Sequence, residues 1–253
     1  MTTLGPRTAR FLALVLTLTF AGPATGYDWS GVYLGVNLGG AGSSGVKTTE
    51  KGSAGGVFPA GTGYNGAGHS WKYDLSNSFT GGGVAGYNFQ LGSAVFGVEG
   101  EFGYLRLRGS KSDPLSPFSD PVSRTRVGDW YGVLAGRVGF AWEQFLPYVK
   151  AGMAVTSVDG AVLDACLSGT CGTRSVSARK ESTKPYWAFA AGLEYAIVQN
   201  WIVRTEYMYV GLGLTDALRV SGPGSGTAAG STWVWKQDIN SVHMGKIGIT
   251  YKF

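Results

Sequence analysis

The sequence predicts an all-β fold: an eight-stranded, antiparallel, up-and-down transmembrane β-barrel with long extracellular loops. Three observations predict it, namely an N-terminal export signal, eight segments in which apolar residues alternate with small or polar ones, and connections that are alternately short and long. The composition agrees. Glycine, at 42 of 253 residues, disfavours a helical protein, and the 13% of aromatic residues disfavours disorder.

The N-terminus has the order of a secretory signal. Arg7 and Arg10 precede an apolar core over residues 11–20, and the small residues Ala24 and Gly26 follow it. This order distinguishes a cleaved signal from a buried N-terminal helix. It predicts a signal peptide over residues 1–26 and an outer-membrane barrel domain over residues 27–253. After Gly26 no apolar run is long enough for a membrane-spanning helix, which needs about 18 residues or more.

Eight segments alternate with period two, as half-buried strands do. They are residues 29–41, 79–90, 94–107, 129–143, 148–158, 186–198, 201–212 and 240–253. The connections at 91–93, 144–147 and 199–200 are short, whereas those at 42–78, 108–128, 159–185 and 213–239 are long. This pattern places the short turns and both termini in the periplasm and the long loops outside the cell. The loops are rich in Gly, Ser, Thr and Asp, and we expect them to be mobile and solvated.

Charged residues share one face of the predicted strands, opposite the apolar face. Four acids and four bases occupy it: Glu99, Glu101, Glu194 and Glu206, with Arg137, Lys150, Arg204 and Lys246. If the apolar faces meet lipid, these charges point inward. The interior of an eight-stranded barrel is just wide enough for side chains, and buried charges need partners. The sequence therefore predicts an interior salt-bridge network and a filled lumen.

Aromatic residues lie near both ends of the predicted strands, as in the two girdles of membrane barrels. The periplasmic set is Trp29, Tyr87, Phe89, Phe96, Phe140, Trp142, Tyr148, Tyr195, Trp201, Tyr251 and Phe253; the outer set is Phe79, Phe102, Tyr104, Trp130, Trp187, Tyr207 and Tyr209. The alternative is that these aromatics form the core of a soluble β protein.

The two cysteines and the charge distribution narrow the chemistry further. Cys166 and Cys171 lie in a predicted loop of an exported chain, so we expect a small loop disulfide. Two thiolates without a nearby histidine fall short of a four-ligand zinc set, and we expect no metal site. The formal net charge is +5, but the basic residues are scattered, so we expect no nucleic-acid partner.

Five segments carry a resemblance to a known family. They are WSGVYLGVNLGGAG, FTGGGVAGYNFQ, VFGVEGEF, NWIVRTEYMYVGLG and the terminal HMGKIGITYKF. In this order they are similar to the small outer-membrane surface proteins of alphaproteobacteria, the outer membrane immunogenic or porin-family barrels. The resemblance implies a Gram-negative outer membrane. It also implies that the terminal aromatics Tyr251 and Phe253 act as the signal read by the barrel assembly machinery.

These observations favour a surface protein whose barrel anchors loops that contact host or environmental ligands. Its expected surroundings are outer-membrane lipid and lipopolysaccharide, and we expect no cofactor and no catalytic residues. Three alternatives stay open. The barrel could be a narrow diffusion pore. It could bind haem through His69, which has Tyr64, Trp71 and Tyr73 nearby. It could modify lipid A through Ser241 and His243, although no acid that would orient His243 is evident.

Overall fold

The computed structural model describes residues 26–54, 69–113, 121–165, 175–214, 218–225, 229–230 and 232–253. These residues form twelve β-strands and one turn of 3-10 helix, Leu212–Leu214. The strands are β1 Gly31–Ser43, β2 Val46–Ala54, β3 Ser70–Tyr73, β4 Ser78–Leu91, β5 Ala94–Ser112, β6 Val122–Phe140, β7 Phe145–Ala165, β8 Ser175–Ala196, β9 Trp201–Gly211, β10 Leu218–Ser225, β11 Thr232–Ile239 and β12 Val242–Lys252. No helix within the described ranges has the length and apolarity needed to cross a membrane.

Eight of the strands pair in an order that returns to its start. The order is β1, β4, β5, β6, β7, β8, β9, β12 and back to β1, and every ladder is antiparallel. We call these eight strands the ring. The first strand pairs with the last from Tyr33 opposite Lys252 to Ser43 opposite Val242. Each predicted segment overlaps one strand of the ring.

The other four strands, β2, β3, β10 and β11, are called the outer strands here. In sequence β2 follows β1, β3 precedes β4, β10 follows β9 and β11 precedes β12. Their order across the sheet, β3, β2, β11, β10, β8, repeats that of the ring strands β4, β1, β12, β9, β8. Four strands of the ring are thus interrupted and then continue as outer strands, whereas β5 to β8 run through without a break of the chain. This interruption is why the structure has twelve strands where the sequence predicted eight.

The interruptions lie side by side. The backbone N–H of Ser44, between β1 and β2, donates to the carbonyl of Ser241, between β11 and β12, at 3.2 Å. Gly213 donates in the same way to Asn240 at 2.9 Å. Gly45 has a φ of 96°, a backbone conformation that favours glycine. These hydrogen bonds satisfy backbone groups that would otherwise lose their ladder partners.

The prediction that the long connections are mobile and solvated was wrong for much of their length. Residues 46–54, 70–73, 218–225 and 232–239 are strands, and β5 to β8 continue beyond their predicted outer ends. The physical reason is burial: Trp233 and Trp235 of β11 stack at 6.1 Å between ring centroids, and both are buried. Their apolar surface stabilises strands that a Gly- and Ser-rich composition alone would not.

Most predicted girdle aromatics do face outward and are exposed or half-buried. Trp29 and Tyr148 do not: both are buried inside the ring. For these two the assignment was wrong, because it followed residue type and chain position. Tyr148 is two residues before Lys150 and therefore lies on the inward face of β7.

Candidate functional site

All eight predicted inward charges meet inside the ring. They come from six strands, β5, β6, β7, β8, β9 and β12, and period-two alternation turns each of them to the interior. Their side chains are between 1% and 3% exposed. We call these eight side chains the charge cluster.

Glu99 is the central acid of the charge cluster. Its carboxylate lies 2.6 Å from Lys150 Nζ and 2.9 Å from Arg204 Nη1. It also accepts from Nη1 of Arg137 at 3.4 Å. Three bases on three other strands therefore hold one buried carboxylate, which compensates much of the cost of removing it from water.

The remaining acids extend the charge cluster toward β8 and β12. Lys246 Nζ lies 2.7 Å from Glu101 and 2.9 Å from Glu206. Glu194 accepts from Arg137 Nη2 at 2.8 Å. With four acids and four bases the formal charge of the cluster is zero, and every member has an opposite charge within 4 Å. The arrangement cross-links the ring from inside.

Three tyrosines that the sequence reasoning did not include donate hydrogen bonds to the charge cluster. Tyr33 donates to Glu99 at 2.7 Å, Tyr131 to Glu101 at 2.5 Å, and Tyr148 to Glu206 at 2.8 Å. The guanidinium of Arg137 lies 4.1 Å from the centre of the Tyr148 ring. Period-two alternation could have predicted their inward position, because each tyrosine lies an even number of residues from a buried residue on the same strand.

Apolar layers close the interior on both sides of the charge cluster. At the end of the ring that holds both chain ends lies a buried group made of Trp29, Val95, Ala141, Leu146, Ala196 and Ile202. On the other side lies a larger buried group that continues among the outer strands and includes Leu105, Met208, Val210 and Met244. A cavity in that larger group measures about 10 Å³, roughly the space of one water molecule. The interior of the ring is therefore filled by cross-linked side chains and leaves no wide channel among the described residues.

The first and last residues around the ring are hydrogen-bonded to neighbouring strands at this same end. Tyr27 donates to the carbonyl of Gln199 at 2.8 Å, and Phe253 donates to the carbonyl of Val32 at 2.9 Å. Burial, followed by the nearby Asp28 carboxylate, raises the pKa of Tyr27 to about 12. The hydrogen bond from the Ser30 backbone lowers the pKa of Asp28. The two predicted assembly residues, Tyr251 and Phe253, stack edge to face at 5.1 Å on the outward side.

The haem candidate His69 lies before β3. Its Nε2 is 2.8 Å from Asp113, and its ring stacks on Trp71 at 5.9 Å. Binding iron through this nitrogen would break a contact with a buried carboxylate. Tyr73 is buried and hydrogen-bonds to Ser123 and Thr125, and Tyr64 lies outside the described residues.

Ser241 and His243, the lipid A candidates, do contact each other. Ser241 Oγ lies 2.9 Å from His243 Nε2, and Tyr207 OH lies 2.6 Å from His243 Nδ1. Ser241 is only 4% exposed, and its hydroxyl also lies 2.6 Å from that of Ser44. The group on the far side of the histidine is a phenol and not a carboxylate. Cys166 and Cys171 lie outside the described residues, so their disulfide stays a prediction.

Comparison with known proteins gives a family match and several similar proteins. A family model described as "Outer membrane protein beta-barrel domain" matches residues 11–253. The 31 kDa outer-membrane immunogenic protein of Brucella melitensis is 29% identical over 92% of this chain and 87% of its own length. The 25 kDa outer-membrane immunogenic protein of Brucella canis is 29% identical over 90% and 80%. The crystal structure of OprG from Pseudomonas aeruginosa covers 90% of this chain and 98% of its own, with a TM-score of 0.47 and 14% identity.

Proposed function

The chain belongs to the outer membrane protein beta-barrel domain family, and from this premise we propose that its ring is an eight-stranded up-and-down transmembrane barrel with a filled lumen. The barrel anchors the outer strands at the cell surface, where these strands form the surface that contacts external ligands. The protein resides in the outer membrane of a Gram-negative cell as a surface protein, and the resemblance to outer membrane immunogenic proteins is confirmed.

One observation carries the proposal: at the level of the charge cluster the outward face of the ring is apolar, while the eight charges on the opposite face are buried. Leu134 is 70% exposed, and Phe102 is 66% exposed. Exposed apolar side chains occur on every strand of the ring. A water-facing surface of this extent would be costly, whereas hydrocarbon matches it. The inverse arrangement inside the ring, with paired charges, is the pattern of a membrane barrel.

Packing of the interior supports a structural role over a diffusion pore. The charge cluster and the apolar layers on either side of it occupy successive levels of the ring. Passage of a solute would require ion pairs such as Arg137–Glu194 to separate without water to solvate them. We therefore propose that the barrel does not conduct at the level of a diffusion pore.

Gel mobility and conductance test this function together. The refolded protein is run unheated and boiled, and the same sample is added to a planar lipid bilayer. We expect a shift in mobility on boiling and conductance at the background of protein-free bilayers. Identical mobility in the two lanes would refute the barrel, and steady single-channel steps would refute the filled lumen.

The outer strands supply the surface that the proposal needs. The ladders from β8 through β10, β11 and β2 to β3 form an ordered sheet beyond the ring. A rigid sheet loses less conformational entropy on binding than mobile loops do. Binding of the refolded protein to host extracellular matrix and to environmental polysaccharides, compared with a variant that lacks residues 218–239, tests whether this sheet is the contact surface.

We propose that the contact between Ser241 and His243 is structural and that the protein is not an enzyme. In support, Ser241 is buried and its hydroxyl is hydrogen-bonded to that of Ser44, and Tyr207 occupies the place where a hydrolase commonly has a carboxylate. Lipid A from cells that express Ser241→Ala and wild-type protein should have the same acyl-chain pattern in mass spectra. Loss of a hydrolysis product in the variant would overturn this assignment.

Export is part of the same proposal. Residues 1–26 act as a cleaved signal peptide, and the barrel assembly machinery inserts the mature chain. The Arg–apolar–small order of residues 7–26 supports cleavage. The mass and N-terminal sequence of the protein from outer membranes should place the first residue at or near Tyr27. A membrane form that retains Arg7 would refute cleavage.

A further inference from the structure

A basic depression lies on the outward face of β5 to β8, beyond the apolar belt of the ring. Its volume is about 700 Å³. The charged side chains that line it are Arg108, Arg124, Arg126 and Arg179, with Asp74 and Asp159. Four guanidinium groups against two carboxylates leave an excess of two positive charges, which favours an anionic ligand.

The arginines of the depression are incompletely neutralised. Asp159 is shared, because it lies 2.8 Å from Arg179 and 3.4 Å from Arg126. Arg126 also pairs with Asp129 at 3.0 Å, and Asp129 is itself shared with Arg106 at 2.8 Å. Arg108 and Arg124 have no ion pair with any residue in the described part of the chain. Arg108 also stands directly opposite Arg126 in the β5–β6 ladder. Like charges in that position destabilise a sheet, and a bound anion would relieve the repulsion.

The position along β5 relates the basic depression to the membrane surface. Phe102, Tyr104, Arg106 and Arg108 follow one another on the same outward face. Trp130 of β6 stacks on Phe102 at 6.1 Å, as expected for a girdle at the interface. At a rise of about 3.4 Å per residue, Arg108 lies roughly 14 Å beyond Tyr104 along the strand. Tilt of the strand lowers that height to about 10 Å, which is the region of lipid head groups.

An apolar groove of about 860 Å³ also lies on the outward face of the ring, across β1 and β4 to β8, on the ring side of the basic depression. Phe102, Leu134 and Met153 form its walls. Gly100 and Gly132 form part of its floor, where a Cβ would meet no atom closer than 3.9 Å. A groove with a glycine floor and apolar walls accommodates an acyl chain.

From these two features we propose that the outward face of β5 to β8 binds a phosphorylated glycolipid of the lipid A type. Its phosphates would contact Arg108 and Arg124, and one of its acyl chains would lie in the groove over Gly100 and Gly132. Guanidinium groups bind phosphate oxygens through paired, charge-assisted hydrogen bonds. The inference rests on the proposed membrane barrel, since it requires the apolar belt to lie in lipid.

The test measures stabilisation of the full chain by defined lipids. Wild-type protein is refolded in phosphatidylcholine bilayers with increasing amounts of bisphosphorylated lipid A, and the melting temperature is read from heat-modifiable gel mobility. A ligand that binds only the folded state raises this temperature. The variant Arg108→Gln/Arg124→Gln is compared with Lys47→Gln/Arg219→Gln, which removes the same charge from exposed positions on β2 and β10.

We expect the Arg108→Gln/Arg124→Gln variant to keep or gain stability in phosphatidylcholine alone and to respond less strongly to lipid A. In phosphatidylcholine alone it should melt at the wild-type temperature or above, because the repulsion between Arg108 and Arg126 is removed. Its half-maximal response to lipid A should need about tenfold more lipid than that of the wild type. The Lys47→Gln/Arg219→Gln control should respond as the wild type does. Gly132→Leu, which fills the groove and keeps the arginines, should also weaken the response.

Other results would overturn the inference. They are an equal response of wild type and Arg108→Gln/Arg124→Gln, an undiminished response to lipid A stripped of its phosphates, and an equal rise with soluble inositol hexakisphosphate. The last result would assign the depression to a free anion and not to a lipid. A protein that never acquires heat-modifiable mobility in phosphatidylcholine contradicts the barrel itself, so failure of the two proposals is told apart in one experiment.

Discussion

The phenol of Tyr148 donates a 2.8 Å hydrogen bond to Glu206, and Arg204 Nη2 donates to the same phenol oxygen at 2.9 Å. A tyrosine that sequence reasoning placed at the lipid interface therefore joins a buried base to a buried acid. The relationship shows that neutral hydroxyl donors contact the charge cluster in addition to its ion pairs.

Tyr148→Phe should destabilise the folded protein by about 1–2 kcal/mol, because it removes one hydrogen bond to a buried carboxylate and leaves Arg204 with one acceptor fewer. Urea unfolding of the protein in lipid bilayers measures the change. Tyr87→Phe is the matched control, since Tyr87 is an exposed aromatic of β4. If the two variants unfold at the same urea concentration, Tyr148 does not contribute through its hydroxyl.

Arg137→Leu should lower the free energy of unfolding by about 3–5 kcal/mol, because it leaves Glu194 buried with only a distant base. Arg204 is 3.8 Å from Glu194, against 2.8 Å for Arg137. Lys47→Leu, at an exposed position of β2, should cost far less. Glu206→Leu should resemble Arg137→Leu, because Glu206 faces Lys150, Lys246 and Arg204.

A double-mutant cycle isolates the pair. Arg137→Leu/Glu194→Leu should destabilise less than the sum of the two single changes, by about 1–3 kcal/mol, because no unpaired charge is left between them. The free energies of unfolding of the four proteins give this coupling. Additive costs would mean that the two side chains do not stabilise each other.

Alternation along strands was sufficient to predict which charges point inward. The face of Glu99 and Glu101, or of Arg204 and Glu206, follows from period two alone. The partners could not be predicted, because they depend on the register of strands that are distant in sequence. Glu99 and Arg204, for example, are 105 residues apart and 2.9 Å from each other.

Period-two alternation could also have predicted β11, although the Gly- and Ser-rich composition of this segment suggested a loop. In β11, Trp233, Trp235 and Gln237 are buried and their neighbours are not, which is a strand pattern within a segment predicted to be a loop. The interruption near Gly45 could not be predicted, because it depends on hydrogen bonds between separate breaks in the chain.

Gly192→Ala should destabilise the protein by about 1–3 kcal/mol through overpacking. A Cβ at this position would come within 2.5 Å of the Tyr148 ring and 2.6 Å of the Thr205 carbonyl, and a backbone atom cannot move away as easily as a side chain. Gly136→Ala is the control, because a Cβ there would meet nothing within 4 Å. Thermal unfolding of both variants in the same bilayers measures the difference. Equal melting temperatures would show that the ring tolerates a methyl group beside Tyr148.

Phe253→Ala should reduce insertion in cells while leaving the refolded protein nearly as stable as the wild type. Phe253 is 67% exposed, so its truncation removes little packing, whereas the assembly machinery is expected to read this terminal aromatic. The fraction of heat-modifiable protein in outer membranes is compared with the fraction obtained by refolding the purified chain. Trp142→Ala, another exposed aromatic at the same end of the ring, is the control and should insert normally. Normal insertion of Phe253→Ala would remove the terminal residue from the assembly signal, and equal loss in both assays would assign it a role in folding stability instead.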